Sequence, residues 1–152
     1  MIRVLVCMVL AVVVVPPATA HSHKGKNLEV VHPWTPETTE KDATTARVFM
    51  TIKNSARVAD RLISASTPRA EKVELATGQG DGEHGQAAGP FSIAPGRPLV
   101  LHAKGQHLLL TGLKKGLLAY EDFQLVLVFE KAGRMTVDVI VEEAEPDVEH
   151  RH

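Results

Sequence analysis

The sequence predicts an all-β chain folded as one sandwich domain, and three observations carry that prediction. From residue 28 to 142, short apolar runs recur about every ten residues between turn signals, the rhythm of a sandwich or barrel. Two of those runs alternate apolar and polar residues with a period of two, as half-buried strands do. No stretch beyond residue 20 keeps apolar residues at three-to-four spacing for three turns, so no helix is expected.

Residues 1–20 stand apart from the domain. Met1, Ile2 and Arg3 form a short n-region with one positive charge, an apolar run follows from Val4 to Val15, and Ala18-Thr19-Ala20 supplies small residues for a signal peptidase. This reads as a cleavable secretory signal, which places the mature chain in the periplasm or outside the cell. The run is shorter than the roughly 20 residues of a membrane-spanning helix, and no later stretch reaches that length, so no membrane span is expected. Cys7, the single cysteine, lies inside the signal and far from its end, which argues against lipid attachment at the new terminus. Disulfides and thiolate ligands are thereby removed from the mature chain, and imidazole, thioether and carboxylate remain as metal donors.

A polar, lysine-bearing tail is expected over 21–27, and the sandwich over 28–142. Candidate strands lie at 28–32, 46–53, 59–65, 70–76, 97–103, 106–111, 122–130 and 134–142. In 122–130, Phe123, Leu125, Leu127 and Phe129 share one face, opposite Gln124, Val126, Val128 and Glu130. In 134–142, Met135, Val137, Val139 and Val141 share a face, with Ile140 the exception on the other. The link Lys131-Ala132-Gly133 between these runs reads as a hairpin turn. Residues 77–90 are glycine-rich without apolar periodicity and are expected to form a mobile surface loop. Residues 143–152 are acidic, carry Pro146 and end in His150, Arg151 and His152; disorder is expected there.

Seventeen basic against eighteen acidic residues give a net charge of −1 with no basic stripe, and one Trp and one Tyr offer no stacking platform. Nucleic acid is therefore not an expected partner. Carboxylates are scattered on strand exteriors without a cleft signature, and no serine sits in a nucleophile elbow, so catalysis is not expected. The chemistry rests on the eight histidines.

Eight local strings point further. They are His32-Pro33-Trp34, Thr51-Ile52-Lys53-Asn54, the run from Ala59 to Ser66, Glu71-Lys72-Val73-Glu74-Leu75, Ile93-Ala94-Pro95-Gly96, the run from Gly105 to Leu110, Gly112-Leu113-Lys114 and the run from Phe129 to Gly133. In this order, and spread over residues 29–142, they resemble the periplasmic copper chaperone family PCu(A)C. The resemblance implies a cupredoxin-like or immunoglobulin-like β-sandwich, in agreement with the strand pattern. It also implies a copper ion as cargo and a periplasmic cuproprotein or oxidase assembly factor as partner. Family members hold Cu(I) with a His closing the Val-Glu-Leu-His string, a Met in the following loop and a His-x-Met pair, because polarizable thioethers and imidazoles suit a soft ion.

Residue by residue, the chain departs from that donor set. Ala76 stands at the first His, the loop 77–90 holds no Met, His107 is kept, and its Met partner is Leu109. Met50 and Met135 fall at core-facing strand positions and read as packing residues. The nearest substitute partner for His107 is His84 in the glycine-rich loop; His102 is expected to face solvent and His32 to be structural. Signal cleavage after Ala20 would expose His21-Ser22-His23. There the amine, two deprotonated amides and the His23 imidazole could surround a divalent ion in a plane, the geometry Cu(II) prefers, and His21 could chelate through its own amine and ring. The candidate metal residues are thus His107, His84, His21 and His23, with Cu(II) favoured over Cu(I). His150 and His152 could add weak Cu(II) binding. The expected function is a non-enzymatic copper-binding, copper chaperone-like protein with a degenerate Met/His site. The alternative is a metal-free sandwich of the same family acting as an interaction module, and a copper enzyme built on the His21 amine is a third reading.

Overall fold

A computed structural model describes residues 22–38, 40, 43–78 and 85–144. Among them are eleven strands and no helix: β1 (Ser22–Lys24), β2 (Leu28–Pro36), β3 (Thr45–Asn54), β4 (Asp60–Ser66), β5 (Ala70–Thr77), β6 (Gln86–Ala87), β7 (Phe91–Ile93), β8 (Leu99–Leu101), β9 (Gln106–Leu113), β10 (Asp122–Phe129) and β11 (Gly133–Glu142). They join in the order β6-β5-β9-β3-β2-β11-β10-β4-β7, with β1 added to β2 and β8 to β3.

The alternation read in the sequence sets the core. Phe123, Leu125, Leu127 and Phe129 of β10 are buried with Val137, Val139 and Val141 of β11. The hairpin register pairs Leu125 with Val137 and Phe123 with Val139, so these side chains meet directly across strands. Val30, Ile52, Leu62, Phe91, Ile93, Leu108 and Leu110 complete the same cluster from the other strands. Met50 lies in this core and Met135 packs against its edge, as their strand phase predicts. Ile140, the exception in the alternation, faces the other way and pairs with Trp34 of β2. That pairing is parallel: β2, the first long strand, and β11, the last, run side by side in one direction through Trp34–Pro36 and Ile140–Glu142.

Two buried polar side chains tie turns to the sandwich. Asn54 donates through Nδ2 to the carbonyls of Val58 (2.9 Å) and Ile93 (3.0 Å) and accepts at Oδ1 from the Ala56 N–H (2.9 Å). The Asp60 carboxylate accepts from the N–H groups of Lys131 and Ala132, both at 2.9 Å, and so staples β4 to the turn between β10 and β11.

The eight predicted strands are present with shifted ends, and three short ones are additional. The stretch 21–27, expected as a polar tail, carries β1, whose three polar residues have no apolar alternation to reveal them. The glycine-rich stretch 77–90 contributes the end of β5 and all of β6, two residues that pair with Ala76 and Thr77; residues 79–84 of the expected loop lie outside the described residues, as do the signal and the tail from 145. The predicted strand 97–103 is reduced to β8, because the chain turns at His102 and bonds back to Gln106.

Candidate metal centre

β9 is buried on both faces. His107, Leu108, Leu109 and Leu110 are all covered, and only Leu108 and Leu110 belong to the main core. His107 and Leu109 therefore point to the opposite face. Cross-strand pairing sets Ala76 of β5 directly beside His107, and Glu74 and Arg47 on either side of Leu109. Phe49 of β3 closes this patch, its ring edge-on to His107 at 6.5 Å between centroids, and Trp34 lies behind Phe49 at 5.1 Å with the ring planes tilted by 57°.

His107 is 0% exposed. Its Nδ1 lies 3.0 Å from the Gly105 carbonyl, which can only accept, so in the neutral ring Nδ1 carries the proton and the lone pair sits on Nε2. The same carbonyl accepts from the Gly78 N–H at 3.0 Å, which fixes the base of the 78–85 loop against the ring. Gly85 closes that base with φ of 79°; a Cβ there would lie 2.4 Å from the Gly78 carbonyl oxygen and 3.0 Å from His107 Cε1. A side chain at position 85 is thus excluded by backbone and ring together.

The positions where the resemblance implies Cu(I) donors hold one imidazole, one methyl group and one isobutyl group. Those residues do not fit a site of two imidazoles and two thioethers. Among the described residues, no group of three or more His, Cys, Asp or Glu side chains could hold a metal ion. His84 lies outside them, next in sequence to the Gly85 that touches the His107 ring.

The other predicted site residues lie elsewhere. His23 sits on β1, which is separated from β9 by β2 and β3. Its Nε2 accepts the Asp138 N–H at 3.1 Å, and the Asp138 carboxylate is 4.0 Å away. His21, His150 and His152 lie outside the described residues. His32 is exposed at a positive φ of 51° in an irregularity of the β2–β3 pairing, with Nε2 3.0 Å from Glu142 Oε1. His102 is exposed, and packs over Gly105 in the turn before β9. Phe49 and Trp34 were not singled out as lining residues, although Val48-Phe49-Met50, three apolar residues in succession, signals burial on both faces.

The family model for LpqE-like proteins, described as lipoproteins, matches residues 28–141. A copper-bound PCuAC domain from PmoF2 is 26% identical, with a TM-score of 0.71 over 82% of this chain and 99% of that one. The chain belongs to the LpqE-like family of PCu(A)C domains. The apo PCuAC domain from PmoF1 superposes on this LpqE-like chain with a TM-score of 0.72 at 22% identity, covering 82% and 100% of the two chains. The Cu(I) form of DR1885 from Deinococcus radiodurans gives 0.60 at 22% identity, covering 88% and 87%. No curated protein gives a significant match. In this LpqE-like domain, then, the PCu(A)C sandwich is kept while Ala76 and Leu109 stand where the resemblance implies donors. No helix among the described residues is long and apolar enough to cross a membrane.

Proposed function

We propose that this LpqE-like domain is an extracytoplasmic, non-enzymatic copper-binding protein whose donors are histidines instead of the thioether-rich Cu(I) set. The observation that carries the reading is His107, an imidazole held by the Gly105 carbonyl at a position where the resemblance implies a donor. A copper-bound domain of the same fold supports copper as the ligand. His84 is the second imidazole of this reading, and His21 with His23 forms a second, amino-terminal Cu(II) site once the signal is removed. Nitrogen donors without sulfur favour Cu(II) over Cu(I). A periplasmic cuproprotein or oxidase assembly factor is the proposed recipient.

Copper titration of the mature protein tests this, with its amino terminus established by intact mass. The expected result is Cu(II) binding with a nitrogen-dominated paramagnetic resonance spectrum, altered by His23→Ala, and weak retention of Cu(I) against a chelator. Acetylation of the terminal amine should abolish the amino-terminal component and leave only binding that His107→Ala removes. Absence of a nitrogen-ligated Cu(II) species would sink the proposal. It would favour a second reading, a metal-free interaction module, for which the sealed patch of Ala76, Phe49 and Leu109 speaks: each is under 8% exposed and none can donate to a metal.

A further inference from the structure

β1 fills a gap in the sheet. β11 reaches β2 only through Ile140–Glu142, so the earlier part of β11 has no β2 partner on that side. The Val141 N–H bonds to the Glu121 carbonyl on the β10 side, and by alternation the Asp138 N–H points to the opposite edge. That N–H ends on His23 Nε2 of β1. Just beyond β1, Gly25 lies against the Met135 methyl, so close that a Cβ at position 25 would come within 2.5 Å of it. β1 itself pairs with β2 through Ser22↔Val31, His23↔Val30 and Lys24↔Glu29. The segment is a strap: backbone pairing on one side, one imidazole acceptor and one glycine contact on the other.

The docked strap and a planar chelate make opposite demands on the same atoms. A chelate through the residue 21 amine, the Ser22 and His23 amides and His23 Nδ1 needs both amide nitrogens turned to one ion. In a strand, consecutive N–H groups point to opposite sides. Coordination through Nδ1 also leaves the ring proton on Nε2, which then cannot accept the Asp138 N–H. We infer that capture of a square-planar divalent ion, Cu(II) or Ni(II), at the amino-terminal histidines and docking of β1 exclude each other. β1 is a strap that such an ion releases, uncovering the β11 edge around Asp138. This rests on the amino-terminal site proposed above, and the coupling is reciprocal: whatever loosens the strap tightens metal binding.

Ni(II) is the probe, because its square-planar complex is diamagnetic and leaves amide signals readable. The mature protein beginning at His21 is titrated, and exchange of the Asp138 amide is followed with the planar Ni(II) absorption band. Metal-dependent loss of Asp138 protection, together with the band, is the expected result. Gly25→Val, which drives a side chain into Met135, should raise apparent Ni(II) affinity at least about fivefold; a band seen only in that variant would also support the strap. A planar band with Asp138 still protected would overturn the inference while leaving the amino-terminal site standing. No planar band in either protein would overturn both.

Discussion

At the scale of single residues, the surroundings of His107 are decided by a few atoms. Ala76 is the cross-strand partner of His107 between β5 and β9, so side chains at the two positions are neighbours. Ala76→His combined with Leu109→Met should therefore raise Cu(I) affinity by orders of magnitude in competition with a chelator. The same pair should lower stability by about 1–3 kcal/mol, because both positions are closely packed. Asn54 makes three hydrogen bonds from a buried side chain, and Asn54→Ala leaves two carbonyls and an N–H without them. A loss of about 2–3 kcal/mol is expected, read as a lower urea midpoint at unchanged slope. The strand that carries His107 and Leu109 was legible in the sequence, because 106–111 is an apolar run between turn signals. The burial of His107 was not. It depends on Phe49 arriving from β3 and on Gly85 lying against the ring, contacts between segments far apart in the chain.

At the scale of elements, what could be read was what alternates. β10 and β11 were visible residue by residue, down to Ile140, since their inward and outward faces differ in polarity. β1, β6 and β7 were invisible because two or three residues are too few to show a period and become a strand only when a neighbour supplies the pairing. The turn between β10 and β11 is held by side chains as well as by the hairpin. Asp60→Ala, which leaves the Lys131 and Ala132 N–H groups without their carboxylate, should destabilise the domain by about 2 kcal/mol in urea unfolding. Beside it, Arg61 grips Glu130 through two bonds of 2.8 and 2.7 Å. That hydrogen bonding, and then the guanidinium charge, holds the Glu130 carboxyl below the usual carboxylate range. Glu121 is lowered likewise, first by its bond from Arg69 and then by Lys115. A carboxylate with a depressed pKa in the folded state contributes stability above its unfolded pKa, and that contribution disappears as pH falls through the folded value. The urea midpoint of the native protein should fall through the acid carboxylate range more steeply than that of the Glu121→Gln, Glu130→Gln double variant. The difference should be small, because both pairs meet solvent.

At the scale of the molecule, the strands enclose one continuous apolar core, and no group of three or more His, Cys, Asp or Glu among the described residues could hold a metal. The chelator-treated protein should accordingly unfold in one cooperative thermal transition and give dispersed amide signals, and an apo protein without them would contradict this. Fold class was legible because it follows from summed alternation over many residues, which tolerates local errors; the number of strands does not. The parallel contact between β2 and β11 has a mechanical meaning. A pull applied at Leu28 and Glu142 draws these two neighbours past each other along their length, so the hydrogen bonds between Trp34–Pro36 and Ile140–Glu142 share the load instead of opening one at a time. β1, antiparallel to β2 and joined to it by a tight turn at Gly25, would peel away bond by bond under a weaker pull. Stretched from Ser22, the protein should yield in two stages, a soft lead followed by a stiff clamp, so that tension on a tethered chain would bare the β11 edge long before the sandwich itself gave way.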